Sequence, residues 1–191
     1  LVGSEMCIRD RNYILAMTKR QVFYSFHFKN DSWRAGQVRN IGVVEGNTPV
    51  SSNDWEEVKR KGNVAVKRWI NSHMEYRSCI IVLIGSETSS REWCRYEIEH
   101  AWKEGKGIVG IYVHHLKDFN GEQSIKGNNP FKLFYIDRTY NYIAERNYPV
   151  DGNEINLSEI CKTYNPPYKI STNVYDLSLI HISEPTRPLY I

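Results

Sequence analysis

The stretch that decides the fold is "CIIVLIGSETSSREWCRYEIEHAW", residues 79–102. Its first part belongs to an unbroken apolar run, residues 78–85, which is typical of a strand buried on both faces in a parallel sheet. Its second part has helical spacing, and Ser89 with Glu92 predicts a capping box at the helix start. We therefore predict a βα unit, with the helix ending at the glycines that follow.

The flanking segments extend this unit in both directions. "RQVFYSFHF" (20–28) alternates in polarity and predicts a first strand, and "GIVGIYVH" (107–114) predicts another buried strand. Between them, weak spacing predicts a short helix after residue 28, and an Asn53–Glu56 box predicts one amphipathic helix to about Met74. This order predicts a doubly wound α/β parallel sheet, whose ligands bind at the carboxyl ends of the strands.

The rest of the chain is less regular. Residues 115–133 predict a long polar loop, and the Tyr-rich remainder predicts little beyond a late edge strand at "NVYD" (173–176). The two ends resemble translated sequencing-adapter read-through. We expect residues 1–16 and 177–191 to be non-native tails, and the domain to occupy residues 17–176.

Composition narrows the class of protein. With 191 residues, 41% hydrophobic and 13% aromatic, the chain predicts one globular domain. The net charge of +3 is too small and too interleaved to predict nucleic-acid binding, and no apolar run approaches a membrane span. The four cysteines are far apart without a CxxC pair, which argues against zinc or disulfides and predicts a cytoplasmic protein.

Several familiar sites are missing from the predicted sheet. "SFHFKND" (25–31) has no glycine, so the first strand is not followed by a Walker loop, a GxGxxG turn or a flavodoxin phosphate loop. "CIIVLIGSE" (79–87) lacks the aspartate of a phosphoacceptor receiver domain. Cys94 has no convincing histidine partner in the sequence, so we interpret it as a small buried residue.

Six blocks in order resemble one family. "VFYSFHF", "VRN", "DWEEVKRKGNVAVKRWI", "VLIGSETSSREWCRYEIEHAW", "GIVGIYVHHLKD" and "KGNNPF" resemble TIR domains, more narrowly the bacterial TIR-like family of the Thoeris antiphage protein ThsB. The resemblance implies a flavodoxin-like fold and NAD⁺ as substrate, with Glu97 as the essential carboxylate. It also implies self-assembly, a cyclic ADP-ribose-type signal made on sensing phage for a separate effector, and a terminal helix that adapter-like residues replace here.

The chemistry of Glu97 agrees with that role. Breaking the bond between nicotinamide and ribose develops positive charge on the sugar, and nicotinamide leaves neutral, so one carboxylate suffices without a strong acid. We expect no metal or resident cofactor. Trp93, one turn earlier on the same helix face, would wall the pocket and exclude water.

Further candidates for substrate binding follow from the strand ends and the family blocks, although each also has a purely structural interpretation. Besides Trp93 they are Ser25, Phe26, His27, Asn30, Arg34, Ser86, His115 and Asn129. Two other functions stay open. One is a non-catalytic TIR interaction module, and the other is a nucleoside or nucleotide N-glycosidase that uses Glu97 as a nucleophile.

Overall fold

A computed structural model describes residues 21–41, 52–137, 142–149, 152–159 and 174–176. The side chains of residues 41, 52–54 and 176 are not described. The predicted tails, the predicted start at Met17 and the predicted loss of a terminal helix all lie outside these ranges.

Four parallel strands form the main sheet, as the sequence predicted. They are β1 (Val22–Ser25), β2 (Cys79–Ile84), β3 (Gly107–Tyr112) and β7 (Val174–Asp176), in the order β1-β2-β3-β7. The helices are α1 (Phe28–Ile41), α2 (Ser52–Arg60), α3 (Asn63–Met74) and α4 (Glu92–Lys103). The α/β, flavodoxin-like architecture is confirmed, and the predicted late edge strand is β7.

The central strand is covered on both faces, which explains its continuous apolar sequence. Alternate residues Ile80, Val82 and Ile84 belong to the large core that contains α3 and α4, whereas Leu83 belongs to a smaller cluster with Ala35 of α1. All four β2 residues are fully buried. Burying side chains of this size stabilises a fold by about 2 kcal/mol each, so β2 anchors the elements that surround it.

The entrance to α4 differs from the predicted capping box. Residues Thr88–Ser90 form a 3₁₀ turn, and the residue before the helix, Arg91, makes no side-chain cap. Thr88 holds the turn instead, because its Oγ1 accepts from the Gly85 amide at 3.0 Å and donates to the Leu83 carbonyl at 3.1 Å. The Ser89–Glu92 box is therefore wrong, although the predicted helix forms and ends before Gly105, whose φ is 65°.

The long helix predicted from Asn53 to Met74 is also wrong. The segment forms two helices, α2 and α3, and the chain turns between them at Gly62, whose φ is 89°. Residues with a side chain rarely adopt that conformation, so glycine permits the break. The apolar spacing continues across the break, which is why periodicity alone did not reveal it.

A small antiparallel sheet was not predicted. It contains β4 (Phe134–Asp137), β5 (Ile143–Glu145) and β6 (Glu154–Asn156), in the order β5-β4-β6. Phe134 and Ile136 of β4 are fully buried in the large core, so this sheet covers part of the domain. Within the described ranges, the helices are all too short or too polar to cross a membrane.

Candidate functional site

A cavity of about 400 Å³ opens beside β1. Its walls come from β1, from the start of α4, and from residues of α1, α2 and α3. The volume lies in the range of small-molecule sites. Four of the ten predicted site residues line it, namely Phe26, His27, Trp93 and Glu97.

Glu97 is the buried acid of this cavity, whose lining also includes the exposed Glu56 and Glu92. It lies on the face of α4 that packs against the sheet, and it is only 6% exposed. Burial raises the pKa of Glu97 to about 8, and the nearby hydroxyl of Ser25 opposes that shift. In the described part of the chain, the fully buried Ser25 Oγ has no hydrogen-bond partner of standard geometry, so it contacts the acid only loosely.

Aromatic side chains stand next to this acid. Trp93, one helical turn before Glu97, is partly buried and packs edge-on against Tyr96 at 6.2 Å between ring centroids. Phe26 stacks on Phe28 at 5.9 Å. Trp93 and both phenylalanines line the cavity. They lower the polarity around Glu97, and we call them the near wall.

His27 follows the near wall at the end of β1. Its Nδ1 lies 3.7 Å from Glu87 Oε2. Burial lowers the pKa of His27 below its usual value, and the positive charges of Arg91, Lys29 and Lys59 lower it further. The imidazole is therefore neutral at pH 7 and stands among three cations that all line the cavity.

The sequence did not predict a second aromatic wall. Trp55 of α2 and Trp69 of α3 meet edge-on at 5.7 Å, His73 stacks on Trp69 at 3.9 Å, and all three line the cavity. We call Trp55, Trp69 and His73 the far wall. Trp69 belongs to the apolar spacing of the predicted helix, and no signal in the sequence places that helix beside β1.

Arg34 and Asn30 lie outside the cavity lining. The buried guanidinium of Arg34 donates to the carbonyls of Leu116 at 2.8 Å, Glu122 at 3.0 Å and Asn30 at 3.1 Å. It also donates to Asp31 Oδ1 at 3.1 Å. These contacts join α1 to the loop that follows β3, which accounts for Arg34 without a substrate.

Ser86, His115 and Asn129 also lie apart from the cavity lining. Asn129 Oδ1 accepts from the Phe131 amide at 2.9 Å and so caps a 3₁₀ turn, Pro130–Leu133. His115 is exposed, and its carbonyl accepts from Gln123 at 2.8 Å. Ser86 follows Gly85 at the end of β2, and the Gly85 carbonyl lies against Gly127 of the loop that follows β3. Their predicted substrate contacts remain predictions.

Two alternative chemistries find no support among the described residues. Burial raises the pKa of the Cys94 thiol well above its usual value, which keeps this cavity residue in the un-ionised form. No group of three His, Cys, Asp or Glu side chains in the described ranges could hold a metal ion.

Comparisons with known proteins identify the family of this chain. The family model described as "Thoeris protein ThsB, TIR-like domain" matches residues 23–118, which include all four helices, β2, β3 and β1 except for its first residue. A Bacillus cereus (strain MSX-D12) protein named "Putative cyclic ADP-D-ribose synthase ThsB1" is 36% identical over 148 residues. That match covers 75% of this chain and 71% of the relative. The chain belongs to the TIR-like family of the Thoeris protein ThsB.

Proposed function

We propose that this protein is a cytoplasmic NAD⁺-cleaving enzyme of antiphage defence, which releases nicotinamide and makes a cyclic ADP-ribose-type signal for a separate effector. The observation that carries the proposal is Glu97, a buried acid in the lining of a cavity between aromatic side chains. The name of the Bacillus cereus relative agrees with the proposed reaction. Assembly of several copies through the TIR-like domain belongs to the same proposal.

The reaction needs a carboxylate opposite a developing cation. When the N-glycosidic bond breaks, its electron pair leaves with nicotinamide, and positive charge remains on the ribose. A cationic nicotinamide–ribose beside Glu97 favours the ionised acid, so substrate binding lowers the raised pKa of this group. Because positive charge develops on the ribose beside it, the carboxylate binds the transition state more tightly than the substrate.

The cation must next be captured by an oxygen nucleophile. If a hydroxyl of the same substrate attacks and loses its proton, a cyclic product forms, and if water attacks, free ADP-ribose forms. The near wall limits the access of water to the sugar, because Trp93 and Phe26 line the cavity with Glu97. This wall supports the cyclic outcome.

A non-catalytic interaction module explains the cavity less well. Burying an acid without a strong hydrogen-bond partner costs stability, and a protein that serves only as a scaffold gains nothing from that cost. The position of Glu97 on the packed face of α4 therefore favours an enzyme.

The test is chromatography of NAD⁺ incubated with the full chain, with and without phage-infected lysate. We expect Glu97→Gln to lower nicotinamide release at least 100-fold, the scale seen when one electrostatic contact to a transition state is lost. The matched control is Glu99→Gln on the same helix, since the Glu99 carboxylate pairs with Lys103 at 2.5 Å and does not line the cavity. Equal release by wild type and Glu97→Gln would remove Glu97 from the mechanism.

A further inference from the structure

The far wall is a second place where a flat ring can bind. Trp55 and Trp69 are brought together by the break at Gly62, which lets α2 and α3 pack against each other. Both indoles are only partly buried, although they pack against the large core. A cavity lined by two indole rings and an imidazole suits the stacking of a nucleobase, which every base permits through its π face.

Three cations line the same cavity as the two walls. Lys59 is one helical turn after Trp55, and its Nζ is 5.8 Å from the centroid of that indole. The charge of Lys59 also acts on His27, which adjoins Phe26 of the near wall. Lys29 and Arg91 act on the same imidazole. Lys59 at the far wall therefore shares one cavity with Lys29, Arg91 and the near wall.

Two acids near these cations form ion pairs with them, whereas the exposed Glu92 also lines the cavity. Glu56 lies 3.4 Å from Lys59, and both side chains are largely exposed. Arg91 pairs with Glu87, which does not line the cavity. Exposed pairs of this kind are weak and exchange easily for a stronger anion such as a phosphate.

Two aromatic walls and three cations in one cavity match the chemistry of one substrate class. We propose that the cavity binds a dinucleotide, with the adenine base on the Trp55–Trp69 wall and the diphosphate at Lys59, Lys29 and Arg91. The inference rests on the proposed function, because it takes the scissile nicotinamide end to lie between the near wall and Glu97. A nucleoside would leave the far wall and the cations without a role, so the same features argue against a nucleoside N-glycosidase.

The first experiment compares NAD⁺ with nicotinamide mononucleotide, which has the same scissile bond but lacks the adenosine half. We expect Lys59→Gln to raise the KM for NAD⁺ about tenfold with little change in kcat, the scale of one lost charged hydrogen bond. The KM for the mononucleotide should change much less. Arg60→Gln is the matched control, because Arg60 is the next residue of α2, is exposed and does not line the cavity.

The far wall is tested with a matched pair of tryptophans. Trp55→Leu should raise the KM for NAD⁺ about tenfold through lost stacking. Trp33→Leu should not, because Trp33 is 54% exposed on α1 and lies outside the cavity lining. Circular dichroism checks that each variant is folded. If Trp55→Leu does not fold, Lys59→Gln still tests the inference. Selectivity between the two substrates that equals that of Arg60→Gln and Trp33→Leu would overturn the inference.

Calorimetric titration of the wild type with ADP separates this inference from the proposed function, because ADP has no bond for the enzyme to cleave. Binding of ADP that weakens about tenfold in Lys59→Gln and is unchanged in Arg60→Gln supports the dinucleotide site, even if NAD⁺ is never cleaved. If NAD⁺ is cleaved but ADP binds the two variants equally, the dinucleotide assignment fails and the proposed enzyme stands.

Discussion

The carboxyl ends of β1 and β3 have different surroundings. At β1, the edge faces a cavity with a buried acid, Glu97, and a loosely contacted hydroxyl, Ser25. At β3, the edge is covered by a loop that the buried Arg34 joins to α1 through carbonyl contacts. The sequence predicted substrate contacts at both ends from the same strand-end rule. The difference teaches that position at a strand end selects candidates, whereas a place in the lining of a cavity selects among them.

The largest expected effect is on the stability of the β1 end. The folded-state pKa of Glu97 is raised to about 8 from an ordinary value of 4.5, so the folded chain holds a proton that the unfolded chain releases. Stability therefore falls as pH rises from about 4.5 to about 8, by as much as about 5 kcal/mol. We expect Glu97→Gln to unfold like wild type at pH 4.5 and to be more stable at pH 9, measured by urea denaturation. Equal stability of the two proteins at pH 9 would contradict the burial of an ionisable acid.

The next effect sharpens the contrast at the β3 end. Arg34→Met leaves Asp31, only 1% exposed, without its cation, and we expect a loss of about 3 kcal/mol in the free energy of unfolding. The control is Gln37→Ala, which removes an exposed contact of α1 to the Lys117 carbonyl and should cost below about 1 kcal/mol. Folded Arg34→Met should keep the wild-type KM for NAD⁺. A raised KM with unchanged stability would show that Arg34 binds substrate.

The pH dependence of the reaction gives a smaller effect. The proposed mechanism uses the ionised form of Glu97, whose pKa is raised to about 8, so kcat/KM should rise about tenfold per pH unit below 8 and level off above it. Initial rates of nicotinamide release at low NAD⁺ concentration measure this profile. A flat profile between pH 6 and 8 would mean that Glu97 is already ionised in the free enzyme.

The smallest effect is expected at His115. Its side chain is exposed at the β3 end, outside the cavity lining, so His115→Ala should change the unfolding free energy by less than about 0.5 kcal/mol. The KM for NAD⁺ should also stay the same. A clear rise in that KM would move the binding site towards β3 and blur the contrast between the two ends.

The sequence carried the main sheet and the near wall because their signals are local. The run at β2 is apolar on both faces, and Trp93 with Glu97 shares one face of one helix. The small sheet has strands of three or four residues, which are too short to show a clear alternation of polar and apolar residues. These strands were therefore not predicted. The far wall needs the turn at Gly62 and the packing of α2 beside β1, and both depend on tertiary contacts.

Helix α4 contributes both to the cavity and to the core. The face that carries Glu97 also carries Ile98, Ala101 and Trp102, which are buried in the core. A change that repacks this helix would displace Glu97 as well, so under the proposed mechanism stability and turnover would change together. Substitutions that aim to raise the stability of this protein should therefore be placed outside the twelve residues of α4.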